Sequence, residues 1–205
     1  MHASRPEPDL ATLSRRVRIH CLGTFSIADG DAIGQSKLPC PPKALALLQR
    51  LIACGLQGAS AGHLAPALWP GASPRLQRRL ILATGAALDE ALATSGAIAC
   101  DGDRLAVNET VIRVDSLALE RALVPVLNPF RTPSAGECAE AQRVLLETPG
   151  SEFLPGLREP WTLAARMRIS DACKRAAAVL LSLHCQPTTA PSTGRHALAT
   201  NGEVP

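Results

Sequence analysis

The spacing of apolar residues changes period twice along this chain, and that switch limits the folds open to it. Residues 17–33, VRIHCLGTFSIADGDAI, alternate apolar with polar residues, the two-residue period of a half-buried strand. Val17, Ile19 and Cys21 share one face, and Ala28-Asp29-Gly30-Asp31 is the expected turn of a hairpin. Pro39, Pro41 and Pro42 then interrupt regular structure, and KALALLQRLIACG follows with a helical repeat. In it Leu45, Leu48, Leu51 and Ile52 fall on one face, Pro42 suits the first turn, and Gly55 suits the end.

Two more helices are predicted. SAGHLAPALW starts at Ser60 and closes at Pro70-Gly71, with Pro66 in its early turns. The next opens at Ser73-Pro74, an N-cap followed by a first-position proline, and continues through RLQRRLILATGAALDEAL to Leu92. After Gly96 the two-residue period returns: AIAC and RLAVN flank Asp101-Gly102-Asp103, a second hairpin. The extended piece VIRVD leads into the helix SLALERALVPVL. Asn128-Pro129 and Thr132-Pro133 mark a linker, and two helical stretches follow it, joined through Phe153-Leu154-Pro155-Gly156. Residues 1–15 and 186–205 read as disordered tails.

With aromatic residues at 2% and no Tyr, the core must be built from Leu, Ala, Val and Ile. The net charge of +3 is too small to imply a polyanionic partner from bulk charge, so only a local cluster can make that case. Seven scattered cysteines without C-x-x-C or C-to-H spacing argue for reduced thiols, neither a disulfide framework nor a metal site. His20, His63 and His184 form no triad or ligand spacing, and no glycine-rich phosphate loop occurs. A non-enzyme without cofactor is expected. No leader-like run lies in Met1–Arg16 and no stretch is long enough to span a bilayer, so a cytoplasmic protein with no membrane partner is expected.

Strands, three helices and a closing hairpin form the order of a winged helix-turn-helix. CLGTFSI, KALALLQRLIA, Leu68-Trp69 before Pro70-Gly71, LDEAL, and DGDRLAV before VIRVDSLALERAL sharpen that order. Together they resemble the response-regulator (OmpR/PhoB-type) winged helix of SARP-like bacterial transcriptional regulators. LLETPGSEFLPGLREPWTLAARMRI is similar to the start of the bacterial transcriptional activator domain that follows it in that family. The resemblance implies an α+β chain: a winged helix-turn-helix domain over 16–125, then a short, truncated α-helical (TPR-like) segment over 134–185. It departs from the family pattern at Asp89-Glu90, where Arg-Arg is usual, and at Arg104, where the wing usually carries an aromatic.

What the resemblance implies for function is a DNA-binding transcriptional regulator whose third helix enters the major groove of double-stranded DNA. RNA polymerase or a second copy of the chain would be a further partner. A helical wheel turns Leu76, Leu80, Ala83, Ala87 and Leu88 inward and leaves Arg75, Arg78, Arg79, Leu82, Ala86 and Asp89 on or beside the outer face. Arg75, Arg78 and Arg79 are the candidate base-reading residues, with Arg104 of the wing and Lys43 at the start of the first helix as phosphate contacts. Trp69 reads as a core anchor. The alternative is a degenerate winged helix, motivated by Asp89-Glu90 and Leu82, that binds protein and not DNA.

Overall fold

The computed structural model describes residues 17–29, 40–148 and 150–184. Both sequence tails, Cys185 and the Gly30-Asp31 part of the expected first turn lie outside the described residues. The described chain is a mixed α/β structure of six helices and two three-stranded sheets.

The first sheet has the order β2-β1-β6, with β1 at Val17–His20, β2 at Ser26–Asp29 and β6 at Ile112–Val114. β1 pairs antiparallel with β2 and parallel with β6, Ile19 lying opposite both Ile27 and Val114. Val17, Ile19 and Cys21 are buried as their alternation requires. The hairpin turn, however, occupies 21–25, and Ala28 and Asp29 belong to β2. Two features decide this. Gly23 takes φ +79°, a backbone conformation that side chains disfavour. The carboxylate of Asp115 also accepts hydrogen bonds from the backbone N–H groups of Cys21 (3.0 Å) and Leu22 (3.2 Å).

Helix α1 (Pro42–Ala53) buries Ala44, Leu47, Leu48, Leu51 and Ile52, and Leu45 is half-buried at the edge of that stripe. A 3-10 turn (Gly55–Gln57) connects it to the short strand β3 (Ala59–Ser60). Helix α2 (Ala61–Leu68) starts at Ser60, whose hydroxyl accepts from the His63 N–H at 3.2 Å. Helix α3 (Pro74–Ala91) packs on α1 and α2. The second sheet has the order β3-β5-β4, where β4 (Ile98–Asp101) and β5 (Arg104–Val107) form the expected hairpin.

Helix α4 (Asp115–Leu127) packs against both α5 (Ala135–Glu147) and α6 (Pro160–His184). Ser134 and Glu137 form a reciprocal capping box at the start of α5. The Arg166 guanidinium, largely buried, donates to the carbonyls of Phe153, Leu154 and Leu157 at 2.7–2.9 Å and pairs with Glu152. Arg168 pairs with Glu120 and donates to the Ala53 carbonyl at 3.0 Å, tying α6 to α4 and to the end of α1. Gly55 makes that junction possible: its φ is +70°, and a Cβ there would collide with the Arg168 guanidinium and the Glu120 carboxylate. One continuous cluster of buried residues runs from Val17 to Leu180 through both groups of helices. Among the described residues no helix is long and apolar enough to cross a membrane.

Candidate nucleic-acid interface

Helices α2 and α3 are joined by the turn at residues 69–73. Three contacts hold it. Lys43 Nζ donates to the Leu68 carbonyl at 2.6 Å, supplying a cation where α2 exposes its last carbonyls. Gln77 Nε2 donates to the Trp69 carbonyl at 3.4 Å. Ser73 Oγ caps α3 by accepting from the Leu76 N–H. Trp69 is half-buried against the core.

Before Ile81, α3 has no fully buried residue, and only Gln77 and Leu80 are half-buried there. The buried side is Ile81, Leu88 and the capping Leu92, with Gln77, Leu80, Thr84 and Gly85 half-buried beside them. That rotation corrects the sequence-based wheel: Leu76 is 45% exposed and Ala83 is exposed, while Ile81 takes the inward position. Arg75, Arg78 and Arg79 are all exposed, as expected. Among the described residues none of the three makes an ion pair, and the first turn of α3 contains no acidic residue. The unneutralised guanidinium groups therefore add to the positive end of the helix dipole.

One sequence signal for this surface escaped the motif reading. No Asp or Glu occurs between Asp31 and Asp89, although Lys37, Lys43, Arg50, Arg75, Arg78 and Arg79 all fall within that interval. The modest net charge of the whole chain conceals a wholly basic segment.

Asp89, near the end of the third helix, turns back into the protein. Its carboxylate accepts from the N–H groups of Gly96 (2.9 Å) and Ala97 (2.7 Å), and its carbonyl accepts from Thr94. It therefore anchors the entry to the β4–β5 hairpin. Glu90 is exposed.

The other two candidates are tied to the scaffold. Arg104 begins β5 beside the hairpin turn, with its Nε donating to the Gln57 carbonyl at 2.6 Å. Exposed Asp101 and Asp103 flank the turn, and the Asp103 carbonyl accepts from the first N–H of α2. Lys43, exposed at the start of α1, is committed to Leu68 as described. The structure thus brings Arg75, Arg78 and Arg79 together on one face and leaves Arg104 and Lys43 on separate elements.

A second polar cluster, far from α3 in sequence, joins His20, Cys21, Asp115 and Ser116. Cys21 Sγ donates to Asp115 Oδ1 at 2.8 Å and lies 3.1 Å from Ser116 Oγ, and His20 Nδ1 lies 3.7 Å from Asp115 Oδ2. Burial, reinforced by the adjacent Asp115 charge, pushes the Cys21 thiol well above its ordinary pKa. A fully buried, protonated thiol is a poor nucleophile, and the bonds of this cluster order the turn at 21–25. The described cysteines are free, and no group of His, Cys, Asp and Glu suited to a metal ion occurs among the described residues.

No family model matches the chain, and no curated protein matches it. Among solved structures, the chain is similar to Mycobacterium tuberculosis EmbR in complex with low affinity phosphopeptide, at 21% identity and a TM-score of 0.46. That match covers 83% of this chain and 49% of the other, so the chain spans about half the length of the structure it matches.

Proposed function

We propose that the domain over 16–125 is a winged helix-turn-helix that binds double-stranded DNA, and that the chain acts as a transcriptional regulator and not as an enzyme. Helix α3 lies in the major groove, and the β4–β5 hairpin is the wing beside it. The observation that carries this reading is the α3 surface itself: Arg75, Arg78 and Arg79 share an exposed face and have no carboxylate partner among the described residues. An α-helix with its side chains is about 10–12 Å across, and the major groove of B-form DNA is about 12 Å wide. Three free guanidinium groups at the entering end fit the positions from which such helices reach base edges and phosphates.

The inward-facing role of Asp89 supports the same reading, because one of the two acidic departures is occupied with backbone N–H groups. Lys43 and Arg104 flank the groove as secondary phosphate contacts. With Asp101 and Asp103 beside it, Arg104 contributes less than the arginines of α3.

Binding of a random duplex, followed by anisotropy from low to high salt, tests this directly. Neutralising two or three phosphates gives a log–log slope of about −2 to −3. Absence of salt-sensitive binding overturns the proposal in favour of a protein-interaction module. The observation favouring that competing reading is Leu82, 61% exposed on the same face.

A further inference from the structure

Downstream of its arginines, the exposed face of α3 changes chemistry. Leu82 is 61% exposed, and Ala83 and Ala86 beside it are exposed as well, while Ile81 and Leu88 face the core. A helix face left to water ordinarily carries polar residues there. Here a basic stretch gives way to an apolar one of small side chains, and within the described residues nothing covers either part.

We infer that this third turn reads thymine through its C5-methyl group, with Leu82 as the specificity-determining contact; the inference rests on the DNA-binding reading of α3. Charge selects the occupant. A protein partner seated on Leu82 would have to desolvate the unpaired Arg78 and Arg79 one turn away, at a cost that only matching carboxylates offset. The DNA major groove offers both chemistries side by side: phosphates and guanine acceptors for arginine, and the thymine methyl for an apolar side chain. Duplex RNA offers neither the methyl group nor an accessible major groove. Ala83 and Ala86 keep the helix slim where Leu82 must approach the base edges. Arg79 and Leu82 are separated by about 4.5 Å along the helix axis at 1.5 Å per residue. At a base-pair rise of about 3.4 Å, the thymine falls one or two base pairs from the base that Arg78 or Arg79 reads.

The experiment begins with selection of binding sites for the full chain from a random duplex pool. Each thymine of the selected site is then replaced singly by deoxyuridine, which removes the methyl group and keeps every hydrogen-bonding group. At one or two positions, uracil is expected to weaken binding about fourfold, the effect of burying one methyl-sized group. Leu82→Ala is expected to abolish that thymine-over-uracil preference while leaving the unfolding midpoint unchanged. Equal binding of thymine and uracil duplexes at every position overturns the inference and leaves DNA binding intact. A preference that persists in Leu82→Ala overturns the assignment to Leu82. If no duplex is selected and none binds with salt sensitivity, the DNA reading fails, and this inference with it.

Discussion

Five arginines from α4 onwards are paired with carboxylates, whereas the three arginines of α3 are unpaired among the described residues. From α4 onwards, Arg121 pairs with Glu109, Arg131 with Glu137, Arg143 with Glu140 and Glu147, Arg166 with Glu152, and Arg168 with Glu120. On α3, Arg75, Arg78 and Arg79 have no such partner among the described residues and precede the first fully buried residue, Ile81. Exposed ion pairs contribute little to stability, so for all but the largely buried Arg166 the difference lies in electrostatic potential and not in folding energy. Pairing cancels the field of those five arginines, while exposed Arg158 and Arg175 have no such partner among the described residues. Leaving the α3 arginines unpaired keeps a local positive field that a polyanion can use.

The sharpest way to break this comparison is to remove the unpaired set. Arg75→Ala with Arg78→Ala is expected to cost about 2–6 kcal/mol of specific DNA affinity, at about 1–3 kcal/mol for each base contact. Stability is expected to stay within about 0.5 kcal/mol, because exposed side chains without partners are lost. Anisotropy and urea unfolding measured on one preparation separate the two outcomes. A large stability loss with unchanged binding would reverse the roles assigned to the two regions.

Arg166→Ala is the converse test. It strips hydrogen bonds from the carbonyls of Phe153, Leu154 and Leu157, so a loss of about 3 kcal/mol in urea unfolding is expected, because buried acceptors are left without donors. A loss below 0.5 kcal/mol, a threshold set at about the ordinary surface value, would show that this cation is as dispensable to folding as those of α3.

Asp89→Ala is expected to cost about 1–3 kcal/mol, since the Gly96 and Ala97 N–H groups lose their acceptor. Asp89→Arg therefore cannot serve as a simple gain of positive charge at the interface. Glu90→Arg, at an exposed position, is the cleaner substitution and should strengthen binding to random duplex slightly. Weaker binding by Glu90→Arg would place the end of α3 away from the phosphates.

The smallest effect concerns Glu137. Its bonds from Arg131, then from the Ser134 backbone, hold its carboxyl at about 2, below the ordinary carboxylate range. A depressed folded-state pKa means that its contribution is present above the unfolded pKa and is lost as pH falls towards 2. Because the group is exposed, the consequence is local: an NMR titration should show Glu137 ionised well below pH 4, a bound set at roughly the model carboxylate value, with the start of α5 fraying only in strong acid. Titration at an ordinary value would mean that Arg131 and the capping box do not hold it.

Several features were legible in the residues alone. The proline run before Pro42, the Ser73-Pro74 start, the Asp101-Gly102-Asp103 turn and the apolar periods placed the helices and the second hairpin, because caps, turns and amphipathic stripes act over a few neighbouring residues. The exposure of Arg75, Arg78 and Arg79 followed from the same local pattern. What tertiary structure decided involved partners distant in sequence. Asp115 moved the first turn to residues 21–25 across a separation of more than ninety residues, and Arg168 reached back to Ala53 and Glu120. On α3 the periodicity was clear, but many of its residues are apolar or small, so several rotations of the helix bury a similar stripe. Packing on α1 and α2 chose Ile81 for the inside and left Leu76, Leu82 and Ala83 in water, because side-chain shapes on three helices must interlock at once.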